Sequence, residues 1–420
     1  MIAEKAQRVF RRRVFYIPGY DPFPPRRYRE LYRKEGRLQA EISGYDLTLT
    51  ARLADPGRPY GWRVTTLMGR PAEAEIEVLV WSDLVQGSMR RGVLGTYALL
   101  LKTASTYGAS GALWQLLRLR KGPMIAALYP AVLLVGQALV ALAVAAFALW
   151  LAADLPWGGA RELAAVPALA LAWAVLEGFR RIDRRLYAYY LLHDYAFTAV
   201  KAGAYPDILE ARLAEFGARV RAALSDEVDE VLVVAHSSGV HLAVSVLADL
   251  LRPNLNRADP GWEGVPKPGP ALGFLSLGHA VPMASFLPKA GRLRADLAYL
   301  STSKALTWVD VTAPGDGCCF ALCDPVAVSG VAPEGQIWPL MISAAFTQTL
   351  SPERWAKLKR QYFRLHFQYL CAFDRLQGRT IDYDYFRITA GPMTLARRFR
   401  ARQSSASRIT TARNPHRGLE

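Results

Sequence analysis

Cysteine is scarce in this chain, at 4 in 420 residues, which excludes a disulfide framework and fits a reducing compartment. Adjacent Cys318 and Cys319, with Cys323 and Cys371, include no Cys-x-x-Cys pair and read as small core residues. No zinc-finger spacing and no glycine loop of the dinucleotide or P-loop type occurs, so neither a metal nor a cofactor is expected. No apolar leader opens the chain. Its first residues carry Glu4, Lys5, Arg8 and Arg11 to Arg13, which argues against a signal peptide. Internal repeats are missing too. Acidic residues are outnumbered, 36 against 52 Lys and Arg, for a formal charge of +16. Such an excess suits nucleic acid or anionic lipid and cannot choose between them.

What is present makes the choice. Residues 124–153 contain no charge, and Gln137 is their only amide side chain. Counting only from Ala131, after Pro130, 23 residues remain, which at helical rise span about 34 Å, enough to cross a hydrocarbon core. A second apolar stretch, 163–176, covers only about 21 Å and is marginal alone. Between them Asp154-Leu-Pro-Trp157-Gly-Gly-Ala reads as a hairpin turn with an interfacial tryptophan. Arg118, Arg120 and Lys121 precede the first stretch, and Arg180, Arg181, Arg184 and Arg185 follow the second. The turn has only Arg161, beside Asp154 and Glu162. By the positive-inside rule both ends of the hairpin face the cytoplasm, giving an expected two-helix protein of the inner (plasma) membrane with cytoplasmic N- and C-terminal parts. The basic excess then belongs to anionic head groups, and no nucleic-acid partner is expected. Seven arginines between Arg397 and Arg417 lie in a Ser/Thr-rich tail that reads as disordered.

On either side the pattern is α/β. Strand patterns cover 13–17, 40–53, 61–68 and an apolar run at 76–81, with a helix over 26–36. After the hairpin, helices are expected over 182–202 and from Asp207 onward, the latter carrying Leu209, Leu213, Phe216 and Val220 at helical spacing. A β-branched run at 231–234 leads into a helix at 239–251, and further strands cover 272–277 and 306–311. Such alternation predicts a largely parallel sheet.

Between the run at 231–234 and the following helix stands Ala235-His236-Ser237-Ser238-Gly239. Small residues at its ends let a strand enter a helix through a sharp turn, projecting Ser237 and aiming helix N-terminal amides at the same point. This resembles the nucleophile elbow of the α/β-hydrolase superfamily, in its lipase and esterase branch, where His-Ser is a frequent centre. Ala235 replaces the first glycine of the pattern and is small enough for the turn.

The resemblance implies a serine–acid–histidine order with the histidine late in the chain. His366 meets that order, and His366-Phe-Gln-Tyr369-Leu370 is similar to the His-x-x-Tyr stretch of lipases. His279, at a strand end, is the other histidine weighed as base and fits better as a pocket-lining residue. Asp316, just beyond the strand at 306–311, lies where the superfamily acid sits. Asp324, in Asp324-Pro-Val, resembles the Asp-x-Val acid position of some lipases and stays open as the alternative. An oxyanion hole needs two amides, each worth roughly 3 kcal/mol of barrier. Ser238 N–H is one. By resemblance the other comes from the loop after an early strand, where Pro18-Gly19-Tyr20 offers Tyr20 N–H first and Gly19 second.

The resemblance covers about residues 12–85 and 190–390. It divides the chain into an N-terminal part of the core (1–120), a transmembrane hairpin (121–181), a C-terminal part of the core (182–395) and a basic tail (396–420). The implied chemistry is acyl transfer by Ser237, His366 and Asp316 on a lipid or other lipophilic ester. The rival reading is a hydrolase-like membrane scaffold or partner-binding protein without catalysis, in which the three side chains do not converge.

Overall fold

Alternation along the first strand sets the architecture. In β1 (Phe10–Ile17), Val14 and Tyr16 face one side while Phe15 and Ile17 face the other, and all four are buried. A strand covered on both faces belongs in the middle of a sheet. The computed structural model describes residues 8–52, 59–153, 160–252, 269–375 and 383–420. In it β1 joins β2 (Asp46–Ala51), β3 (Gly61–Leu67), β4 (Pro71–Val78), β5 (Glu230–His236), β6 (Ala271–Leu277), β7 (Thr307–Thr312) and β8 (Leu340–Ser343). They form one eight-stranded sheet in the order β2-β3-β4-β1-β5-β6-β7-β8. The β2–β3 and β3–β4 pairs are antiparallel; every pair from β4 through β1 to β8 is parallel. The fold is α/β with a mostly parallel mixed sheet flanked by helices.

The helices up to the elbow are α1 (Arg26–Ser43), α2 (Ser82–Ser88), α3 (Val93–Ala109), α4 (Ala112–Leu119), α5 (Lys121–Ala153), α6 (Ala160–Arg181), α7 (Asp183–Leu186), α8 (Ala188–Ala199), α9 (Asp207–Ala223) and α10 (Gly239–Leu251). Leu209, Leu213, Phe216 and Val220 of α9 and the apolar side of α10 pack on one face of the sheet with Phe15, Val231 and Val233. Tyr28 and Tyr32 of α1 pack on the other face with Val14, Leu232 and Val234. At the far end of β1 the buried Arg12 pairs with Glu230 of β5 at 2.6 Å and donates to the carbonyls of Gly391 and Met393.

Several boundaries differ from the sequence expectation. The helix expected to stop near residue 36 runs to Ser43, and only Asp46–Ala51 of the expected strand at 40–53 is extended. Gly44, with φ +66°, ends that helix and donates to Ala40 O. The strand expected over 76–81 is Pro71–Val78, because Trp81 turns away to donate from Nε1 to Pro18 O. The single helix expected over 182–202 is broken at Tyr187, which has φ +57°.

The two apolar helices are long. α5 has 33 residues and contains Pro130; α6 has 22 residues and contains Pro167. At helical rise they measure about 50 and 33 Å, so the second is not marginal. Both are long and apolar enough to span a membrane. They pack on each other, yet Val132 is 70% exposed, Leu142 64%, Leu163 72% and Val166 74%. Helices of a soluble core bury such residues. Most of the turn expected between them, 154–159, lies outside the described residues.

The basic tail is not disordered. Ile409 bridges Cys323, Ser405 N–H donates to Met341 O at 2.8 Å, and Arg294 Nε donates to Gly418 O at 2.6 Å. Asn414 is buried, its amide donating to the carbonyls of Ser285 and Ser329 at 2.9 and 3.1 Å. Hydrogen bonds to backbone hold this segment, and a composition read through apolar content misses them.

Candidate active site

Parallel strands end at the same edge of the sheet: Ile17 lies opposite Ala235, His236 opposite Leu277, and Leu277 opposite Val311. Loops leaving that edge converge, as ligand-binding loops do in α/β sheets. Ser237 follows β5 immediately and has φ +58°, in the left-handed region that a side chain rarely adopts. Such strain persists only where surroundings over-determine it. Here Ser237 N–H donates to Leu277 O at 2.9 Å, and its carbonyl accepts from Val240 and Ala280. The turn also needs Gly239, since a Cβ there would lie 2.4 Å from Pro18 O.

Asp316 and His366 meet: Nδ1–H of His366 donates to Asp316 Oδ2 at 2.7 Å, and both side chains are buried. Tyr369 donates its hydroxyl proton to the same oxygen at 3.0 Å and accepts from Ala313 N–H at 2.9 Å. The spacing of the His-x-x-Tyr stretch thus sets the tyrosine beside the acid rather than the serine. Cys318 N–H donates to Asp316 Oδ1 at 2.9 Å. Burial opposes ionisation of Asp316, but the facing His366 and these hydrogen bonds outweigh it and hold the carboxyl below its ordinary range. Among the described residues His366 Nε2 is buried and makes no hydrogen bond, with Ser237 Oγ or any other group, so it is open to a proton brought by a ligand or by Ser237. His236, inside the turn, donates from Nε2 to the carbonyl of His366 at 2.9 Å. Burial, followed by the neighbouring His366, pushes its pKa down to about 3, so it stays a neutral strut.

Asp324 is engaged elsewhere. Its Oδ1 caps a short helix by accepting from Val326 and Ala327, and its Oδ2 accepts from Gln336. His279 is buried and bonded to Cys323 O at 2.9 Å, and it does not line the cavity beside Ser237.

The loop after β1 approaches the elbow closely, since a Cβ at Gly19 would lie 2.9 Å from Ser237 Cβ. One expectation changes here. Tyr20 N–H donates to Ser238 Oγ at 2.8 Å and so is occupied by that hydroxyl rather than open towards Ser237. Ser238, one residue past the elbow, points its side chain at the loop, while its own amide stands at the start of α10. From α8, Tyr190 clamps the loop by donating to Tyr20 O at 2.5 Å.

Ser237, His366 and Gly19 line one cavity of about 730 Å³, a volume typical of small-molecule sites. Its far wall comes from the base of α5 and from residues 185–195, with Asp194 of α8 among them. Asp194 has no hydrogen-bond or ion-pair partner among the described residues. Burial raises its pKa to about 7, with His366 pulling the other way. The sequence reading missed Asp194; the available signal was a lone acidic residue between Asp183 and Asp207 on a mostly apolar helix.

One constellation among the described residues has metal-ligand atoms within 4.8 Å of one another: Asp316, Cys318 and His366. It suits a metal poorly. The candidate ligands are already engaged with one another, His366 Nδ1–H with Asp316 Oδ2 at 2.7 Å and Cys318 N–H with Asp316 Oδ1 at 2.9 Å.

No family model matches the chain, and no curated protein or solved structure matches it either. The functional reading rests on the site itself.

Proposed function

We propose that this chain is a serine hydrolase of α/β-hydrolase type, anchored by the α5–α6 hairpin and cleaving a lipophilic ester. One observation carries the reading: a hydrogen-bonded Asp316–His366 pair opens on the same cavity as a serine held in a left-handed strand-to-helix turn. In this reading Ser237 Oγ attacks the ester carbonyl while His366 Nε2 takes its proton. Asp316 holds the imidazole tautomer and stabilises the imidazolium. The Ser238 amide at the start of α10 faces the developing oxyanion, and Tyr20 N–H joins it once Ser238 Oγ releases that bond. His366 returns the proton to the leaving alcohol, and water hydrolyses the acyl-enzyme by the same steps.

The anchoring half of the proposal draws on exposed apolar surface. Beyond α5 and α6, Leu94 and Leu101 of α3 and Trp114 of α4 are exposed, and these two helices pack on α8 and α5. Basic residues on both outer flanks of the hairpin support a site on the cytoplasmic side of the inner membrane.

Membrane fractions labelled with a fluorophosphonate probe test the chemistry. Wild type is expected to label and Ser237→Ala to lose labelling and ester hydrolysis, by a factor of about 10⁴ or more. Equal labelling of both proteins would transfer the nucleophile to another serine and end this reading.

A further inference from the structure

The wall opposite Ser237 is not a separate lid but the foot of α5. Gly122, Ile125, Ala126 and Tyr129 line the cavity, and the same helix continues without a charged residue to Ala153. Ile125, Tyr129 and Val132 follow one another at intervals of four and three residues, so they share one helix face. All three are open, at 68%, 42% and 70% exposure. This apolar stripe begins inside the cavity and runs out along the helix, past the point where the cavity ends.

The mouth carries the opposite chemistry. Arg185, Arg360 and Arg364 stand at its rim, all exposed, and among the described residues none pairs with a carboxylate. Tyr187 and Tyr362 are exposed beside them, at 43% and 62%. Arginine and tyrosine at the base of apolar helices are the residues that settle at a head-group layer. Tyr129 donates its hydroxyl to Leu186 O at 2.7 Å, tying α5 to the segment that follows α6. Both legs of the hairpin therefore meet at the rim of the cavity.

Resting on the hydrolase reading, we propose that the substrate is a long-chain ester resident in the bilayer, which reaches Ser237 sideways with its acyl chain lying along the Ile125–Tyr129–Val132 face of α5. A chain on that face passes from hydrocarbon into the cavity without crossing water, so the hydrophobic cost of exposing each methylene is avoided. The rim arginines hold the mouth against an anionic leaflet, and the cavity holds a single amphiphile.

The test compares two substrates on the full chain reconstituted in vesicles of mixed neutral and anionic phospholipid. One is a long-chain ester carried in the bilayer, the other a short-chain ester dissolved in water. Val132→Glu interrupts the stripe with a charge beyond the cavity, and Val132→Gln does so without one. Each is expected to lower the rate on the bilayer ester relative to the soluble ester by about tenfold or more, mostly through KM. Parallel losses on both substrates, or no change in the ratio, would overturn the sideways route while leaving the hydrolase intact. Fluorophosphonate labelling in the same vesicles separates the two failures: a folded wild type that never labels removes the hydrolase reading and this inference with it.

Discussion

On the sheet side of the cavity the groups near Ser237 hold one another. Asp316 accepts hydrogen bonds from His366, Tyr369 and the Cys318 backbone, His236 braces the His366 backbone, and Ser238 holds Tyr20. Across the cavity the helical wall presents Ile125, Ala126, Tyr129 and Leu186, and its one carboxyl, Asp194, has no partner among the described residues. Chemistry needs groups fixed to within a fraction of an ångström, and hydrogen-bond networks supply that. Binding an acyl chain needs apolar area and tolerates slack. In the proposed reading the two walls divide those two tasks.

Substitutions on the sheet side should therefore cost most. Asp316→Asn is expected to lower kcat by about 10⁴, as loss of the orienting carboxylate does in a triad. Asp324→Ala should leave turnover within severalfold and instead lower stability by about 1 kcal/mol through the lost helix cap. Steady-state rates and denaturant melts of the pair read both effects, and equal kinetic losses would return Asp324 to the site. Next in size is Gly19→Ala. Its methyl would press on Ser237 Cβ and His236 O, at 2.9 and 3.2 Å, and should cut kcat by about 10² with little change in KM.

The smallest effect lies on the helical wall and is one of pH. With its pKa raised to about 7, folded Asp194 keeps a proton that the unfolded chain has already released near pH 4. The folded state then binds more protons between pH 4 and 7, so stability falls as pH rises through that window and stays lower above it. Asp194→Asn removes the fall. Its melting temperature should exceed wild type by about 2 °C at pH 8 and match it at pH 4. A constant difference at both pH values would mean that the carboxyl is solvated and that the helical wall is wetter than described.

Legibility in the sequence followed locality. The turn at Ser237 was readable because strand, turn and helix are adjacent, and α10 runs over the residues expected for it. The first apolar helix was readable from the absence of charge alone, whereas α6 extends beyond the apolar stretch at 163–176 into charged residues at both ends. The choice between Asp316 and Asp324 was not, since it depends on whether a carboxylate faces His366 or its own helix start. β8, with four residues, is too short to leave a pattern. Tyr20 N–H was identified by its place after an early strand, but its engagement by Ser238 depends on a contact between residues 218 apart. The tail misled for the reverse reason: Asn414 and Ile409 are fixed by partners that nothing nearby in the chain reveals.

The position of β1 has a consequence for the order in which the protein comes into being. Val14 and Leu232 are neighbours in the finished sheet, and both apolar helices are encoded between them. At ribosomal speeds of about 5–20 residues per second, β1 waits roughly 10 to 40 seconds for β5. During that interval it has only β4 beside it, and the edge that β5 will cover, with Val14, Phe15 and Tyr16, is bare. The nascent chain therefore passes through a half-built sheet while the hairpin is already made, which leaves the early fragment to be sheltered by chaperones or by surfaces close to the ribosome.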